Sequence, residues 1–188
     1  MTNNDIIEYI VEDNMHNLII VNAKKAEIGG KSQFRNSDTR RKQLSEDQLV
    51  GQIATYCASM VLTGKPDGYI KARKKANDNP YAGDNGIDIA GLDNIDIKGS
   101  LMRYSKDPLK YRLLVRPKER HKNWIYVLAL VPKERPYKSY IVGWARDEDL
   151  PKETYSGPIK SLHGAYVIEA KNLNPIKTLT KYKTQYVH

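Results

Sequence analysis

The chain has 188 residues, 40% of them hydrophobic and 28% charged, which is the balance of a soluble globular protein of about one domain rather than of a disordered or membrane protein. Its 31 Lys and Arg against 22 Asp and Glu leave a net charge of +9, which points to a polyanionic partner, because a basic surface releases condensed counterions when it covers phosphates. The single cysteine, Cys57, excludes an internal disulfide and a cysteine-built zinc site; no apolar run reaches the roughly 20 residues of a membrane span, and the acidic start lacks the basic flank of a signal peptide.

In chain order, apolar residues at Ile6, Ile7, Ile10, Val11, Met15, Leu18 and Ile19 approach a helical period, although "NLIIVNA" also suits a strand. Gly29-Gly30 is expected to end this element, and the basic stretch to Gln43 reads as a loop or mobile arm. Residues 1–43 are therefore expected to form a helical segment with a basic arm, and 44–188 an α/β unit. Ser45 is a plausible N-cap, with Glu46 and Asp47 in the first turn, for a helix running to about Leu62 and stopped by Gly64 and Pro66. One side of that helix is apolar, and Gln48, Gln52, Thr55 and Ser59 make a narrow polar stripe. From residue 68 the period changes to two. "GYIKAR" reads as a strand, "GIDIAG" and "NIDIKGSL" as a hairpin, and "YRLLVRPK", "WIYVLALVP" and "SYIVGWA" as three further strands. "ARDEDLP" follows as a short helix or turn, and "GAYVIEA" as an edge strand. The expected fold class is α/β, with a mixed, mainly antiparallel central sheet flanked by helices.

The hairpin carries the unusual chemistry. Alternate side chains of a strand share a face, so Ile95 and Ile97 oppose Asp96 and Lys98, as Ile87 and Ile89 oppose Asp88. A three-residue loop at 91–93 would set Asp88 opposite Asp96, with Cβ atoms about 4.5 to 5.5 Å apart, whereas a two-residue loop would set it opposite Ile97. Adjacent carboxylates need compensation, and a divalent ion supplies it, since Mg²⁺ takes one or two carboxylates, keeps waters and accepts phosphate oxygens. Lys98 then stands where an ammonium orients a water, helps it lose a proton, or stabilises charge on a phosphate. The plainer alternative is a solvated edge in which Lys98 simply pairs with Asp88 or Asp96.

The order of an aspartate, a hairpin and "DIK", after "LVGQIATYCASMVLTG" and before "SYIVGWARDEDL", resembles the PD-(D/E)XK nuclease superfamily over roughly residues 45–150. That resemblance implies a restriction-endonuclease-like core and Mg²⁺-dependent hydrolysis of DNA phosphodiester bonds, with Mn²⁺ substituting. Asp88 and Asp96 would be the metal ligands and Lys98 the catalytic amine. Many members carry a glutamate on the leading helix, whereas this chain offers Gln52 or Thr55 mid-helix and acids only at Glu46 and Asp47, with Gln52 the preferred contributor. The proline of the family name is also absent, Ile87 preceding Asp88.

The basic segments supply Arg40, Arg41, Lys71, Arg73, Lys74, Lys75, Arg116, Lys118 and Arg120 as expected contacts to a DNA backbone. Cutting both strands of a duplex calls for two sites, hence a homodimer. Restriction, homing and recombination roles all fit, with the cytoplasm, or a host cell's cytoplasm for a viral gene, as the setting. Two other readings stand beside the nuclease: a non-catalytic DNA-binding protein with a degraded metal site, and an RNA-directed protein. His121 and His163 read as surface residues, and Trp124, Tyr126 and Trp144 as packing.

Overall fold

The computed structural model describes residue 2 and residues 5–31, 38–78 and 87–183. Strand β1 (Ile7–Ile10) leads into helix α1 (Asp13–Lys31), followed by α2 (Asp38–Thr63) and α3 (Asp67–Asp78). Strands β2 (Ile95–Leu101), β3 (Arg112–Val115), β4 (Ile125–Val131), β5 (Lys138–Arg146), β6 (Tyr166–Glu169) and β7 (Asn174–Pro175) follow, and α4 (Ile176–Lys183) comes last. The main sheet runs β1-β5-β4-β2, with β7 also on β5; its pairs are antiparallel except β2 with β4, so it is mixed and mainly antiparallel as expected. Strands β3 and β6 form a separate antiparallel ribbon.

Strand β4, "IYVLALV", is buried along its whole length, as befits a strand covered on both faces. Its odd-numbered residues Ile125, Val127 and Ala129 join Ile95, Ile97 and the helices in one core, where α2 contributes Val50, Ile53, Ala54, Tyr56 and Cys57. Its even-numbered residues Tyr126, Leu128 and Leu130 pack with Leu113 and Val115 of the ribbon in a second core. The sheet therefore separates a helical layer from a ribbon layer. Burial in the helical core pushes the Cys57 thiol up to about 12, so it is packing, not a nucleophile.

Several expectations are corrected. "GYIKAR" is helical: Tyr69, Ala72 and Arg73 are its buried residues, at the three- and four-residue spacing of a helix face, and Asp67 stands in the first turn, where the dipole favours an acid. Helix α1 runs past Gly29-Gly30 to Lys31, and α2 begins at Asp38, so Ser45 lies inside it and 38–43 are helical rather than an arm. Residues 32–37 lie outside the described ones. Instead of a cap contact, Ser45 Oγ donates to Glu27 Oε2 at 2.8 Å, tying α2 to α1. Of the segment before residue 43, β1 belongs to the main sheet, where it pairs with β5, and α1 to the helical layer, where it packs along α2.

The hairpin is also replaced. Residues 87–94 form bends and turns rather than a strand, and β2 pairs in parallel with β4, Asp96 standing beside Tyr126 and Lys98 beside Leu128. The 87–94 segment is anchored to α3, Ala90 N–H donating to Gly68 O at 3.0 Å, with Ile89 fully buried. Gly68 is required there: a Cβ on it would lie 2.6 Å from Ile89 Cγ2 and 3.0 Å from Ala90 O.

Candidate active site

Strand β2 keeps Asp96 and Lys98 on one face by its two-residue period, and the register with Tyr126 and Leu128 turns that face to the ribbon layer. Lys98 Nζ lies 2.8 Å from Asp96 Oδ2 and 2.9 Å from Glu119 Oε2. Glu119 ends a 3-10 turn, Pro117–Glu119, beyond β3; the chain then folds back so that His121 N–H donates to the Tyr126 hydroxyl at 2.7 Å. Burial pulls the Lys98 ammonium down, but Asp96 and Glu119 outweigh it and hold the group above its usual value. The same pairing outweighs burial at Glu119 and holds that carboxyl below its ordinary 4.5. Lys98 is therefore a fixed cation, not a proton acceptor, near neutral pH.

Asp88 reaches this strand without belonging to one. The Ile97 N–H donates to Asp88 Oδ2 at 2.7 Å, so the carboxylate is fastened to the peptide between Asp96 and Lys98. Arg73 of α3 stands 3.5 Å from Asp88 Oδ1 and donates to Ile87 O at 3.2 Å. The side chains of Asp88 and Asp96 are each 17% exposed, deep enough to strengthen these charge contacts and open enough for a ligand to reach.

Gln52 is not brought to this cluster. Its Oε1 accepts from the Tyr69 hydroxyl at 3.0 Å, and that hydroxyl accepts from Asn22 Nδ2 at 3.0 Å. The network is buried among α1, α2 and α3, on the opposite face of β2 from Asp96 and Lys98; of the polar stripe of α2, Gln52 satisfies this helix junction and Ser59 Oγ donates to Lys65 O at 3.0 Å. The acids nearer the start of α2 lie closer to charge. Glu46 pairs with Arg103 at 2.7 Å, and Asp47, raised by burial, feels Arg103 and Arg116; Arg116 also acts on Glu119.

Of the expected DNA contacts, Lys71, Lys74 and Lys75 stand exposed on α3 at helical spacing, and Arg116 and Lys118 are exposed beside the 3-10 turn. Arg73 is instead 8% exposed and committed to Asp88, and Arg120 Nε is 2.6 Å from Asp147 Oδ1 with its guanidinium over the Tyr166 ring. Arg40 and Arg41 are in the first turns of α2, and their side chains lie outside the described residues. His121 and His163 are exposed, and Tyr126 and Trp144 are buried, as expected.

Glu119 is the member of the cluster that spacing does not reveal, since it sits between Lys118 and Arg120 in a run marked by its positive charges. Among the described residues no three His, Cys, Asp or Glu side chains gather to hold a metal ion. The two carboxylates nearest the Ile97 peptide are Asp88, which accepts its N–H, and Asp96, which pairs with Lys98; these are the residues that would hold an ion such as Mg²⁺, which takes one or two protein carboxylates and completes its shell with water and phosphate oxygens. No protein-family model, curated protein or solved structure matches the chain.

Proposed function

We propose that the protein is a Mg²⁺-dependent endodeoxyribonuclease with its site on the edge strand β2, in the manner of the PD-(D/E)XK nucleases. The observation that carries this reading is the convergence of Asp88 on the peptide between Asp96 and Lys98. Asp88 and Asp96 would hold the ion, which when bound polarises the phosphodiester and acidifies a water. Lys98, kept protonated by its two carboxylates, donates to a non-bridging phosphate oxygen and offsets the negative charge that grows there as water attacks phosphorus. Glu119 holds the lysine in position. Lys71, Lys74, Lys75, Arg116 and Lys118 would neutralise backbone phosphates, and two copies of the chain would serve the two strands of a duplex, in the cytoplasm.

A non-catalytic DNA-binding reading draws on a different observation: Arg73 already compensates Asp88, and Gln52 faces away from the cluster. Supercoiled plasmid with Mg²⁺ or Mn²⁺ separates the two. Nicking is expected from the wild-type protein, falling at least a hundredfold in Asp96→Ala and Lys98→Ala while DNA binding persists. Binding without cutting on duplex, branched and single-stranded DNA would leave the protein a binder.

A further inference from the structure

A second feature lies beyond the carboxyl ends of the two parallel strands, where β2 gives way to Met102 and β4 to Pro132, joined by Met102 N–H donating to Val131 O at 2.9 Å. There a cleft of about 500 Å³ opens between the 102–106 segment and the β4–β5 connection. Four cations line it, Arg103, Lys106, Arg135 and Lys138, against one carboxylate, Glu134. Two of the four are already partnered: Arg103 with Glu46, and Lys138 with Glu8 at 3.2 Å. Lys106 meets no carboxylate among the described residues, and Arg135 lies over the Tyr137 ring at 4.7 Å.

Tyr104 gives the cleft its second character. It is 64% exposed, the most open of the large hydrophobic side chains described, although Tyr111 stacks beneath it with ring centroids 4.3 Å apart and planes at 25°. Its hydroxyl donates to Lys110 O at 3.0 Å, and its backbone N–H donates to the Tyr111 hydroxyl at 3.3 Å. The ring is thus stacked on one side and hydrogen-bonded at its tip, and it remains 64% exposed in the wall of the cleft. A protein gains nothing in stability from holding an aromatic face in water, whereas a nucleobase stacks on such a platform whatever its identity.

We infer that this cleft binds an unpaired nucleotide of a DNA strand, the base on Tyr104 and the phosphates on Lys106 and Arg135. A base inside a duplex has both faces covered by its stacked neighbours, so the occupant is single-stranded, and flap, junction or frayed DNA becomes the preferred substrate class. The inference deepens the nuclease reading and rests on it for the choice of DNA. Arg103 is five residues beyond Lys98, about 16 Å along extended chain, so one strand can pass both sites.

The test measures anisotropy of a labelled 12-residue oligodeoxythymidylate and of a blunt duplex of equal length, in EDTA, so that binding is read apart from cleavage. Tyr104→Ala is expected to weaken the single strand roughly five- to 150-fold, with the duplex changed less than twofold, and Tyr104→Trp to restore it. Lys106→Ala and Arg135→Ala, both at exposed positions, are each expected to reduce the single-strand salt slope by about 0.7. Circular dichroism verifies that each variant folds. Equal affinity of Tyr104→Ala and wild type for the single strand overturns the inference, as does competition by free thymidine monophosphate at the affinity of the strand. Plasmid nicking by the same proteins keeps the readings separate: strand binding lost in Tyr104→Ala with no cutting by wild type leaves the cleft standing, and Lys98-dependent cutting with unaltered strand binding removes the cleft alone.

Discussion

Lys98 stands between Asp96 and Glu119, and each carboxylate has a different weight. The Glu119 side chain is 31% exposed, so solvent screens its share, and Glu119→Gln is expected to cost about 1 kcal/mol or less near neutral pH. Its pH dependence is sharper than its size. Because the folded carboxyl titrates below its ordinary 4.5, its contribution is fully present above 4.5 and is lost as pH falls from there through the lower folded value. Thermal melts from pH 6 to pH 3 should therefore decline less steeply for Glu119→Gln than for wild type. Lys98 carries the opposite sign: its value is raised above 10.5, so its contribution holds below 10.5 and is lost as pH rises past the folded value. Removing Glu119 lowers that upper limit, which moves the alkaline limb of any cleavage profile to lower pH and leaves pH 7 untouched. Parallel acid limbs in the two proteins would mean that the Lys98–Glu119 contact is absent in solution.

At the scale of elements, the position of Asp88 depends on α3. The 87–94 segment is not itself a strand; around Asp88 it is held by the Ala90 to Gly68 hydrogen bond, by Ile89 in the core and by Arg73 on Asp88. Gly68→Ala inserts a methyl 2.6 Å from Ile89 Cγ2, and such overpacking costs about 1–3 kcal/mol. The expected signature is local: hydrogen exchange at the Ile97 amide, which donates to Asp88, should accelerate before that of the β4 amides. Uniform acceleration across β2 and β4 would place the damage elsewhere. This dependence also explains what the sequence conveyed. Alternation in "IDIKGS" revealed that Asp96 and Lys98 share a face, because a strand's period is local. Asp88 was recognisable as a partner for them, but by way of a hairpin that does not form, because its true support is a helix that "GYIKAR" disguises: Ile70 and Ala72 alternate with Lys71 and Arg73, although the buried face is Tyr69, Ala72 and Arg73. Glu119 and the buried Gln52–Tyr69–Asn22 network were not legible at all, since both depend on contacts between distant segments.

Across the whole molecule, the excess of nine positive charges is evident from composition, but which cations are available to a partner is decided by the fold. Arg73 and Arg120 are spent on Asp88 and Asp147, whereas Lys71, Lys74 and Lys75 project together from one exposed face of α3. Each lysine that meets a backbone phosphate adds about 0.9 to the slope of log affinity against log salt for duplex DNA, so Lys71→Gln, Lys74→Gln and Lys75→Gln combined should flatten that slope by up to about 2.7. The melting temperature should hardly change, because exposed lysines without packing contribute little to stability. Arg73→Gln is expected to do the reverse, lowering the melting temperature by releasing Asp88 while leaving the salt slope within about 0.9 of wild type, since a buried guanidinium releases no counterion. Duplex binding titrated from 50 to 300 mM salt, beside a thermal melt of each protein, checks both; a triple variant with the wild-type slope would move the DNA path off α3 and onto the Arg116 and Lys118 side of the sheet.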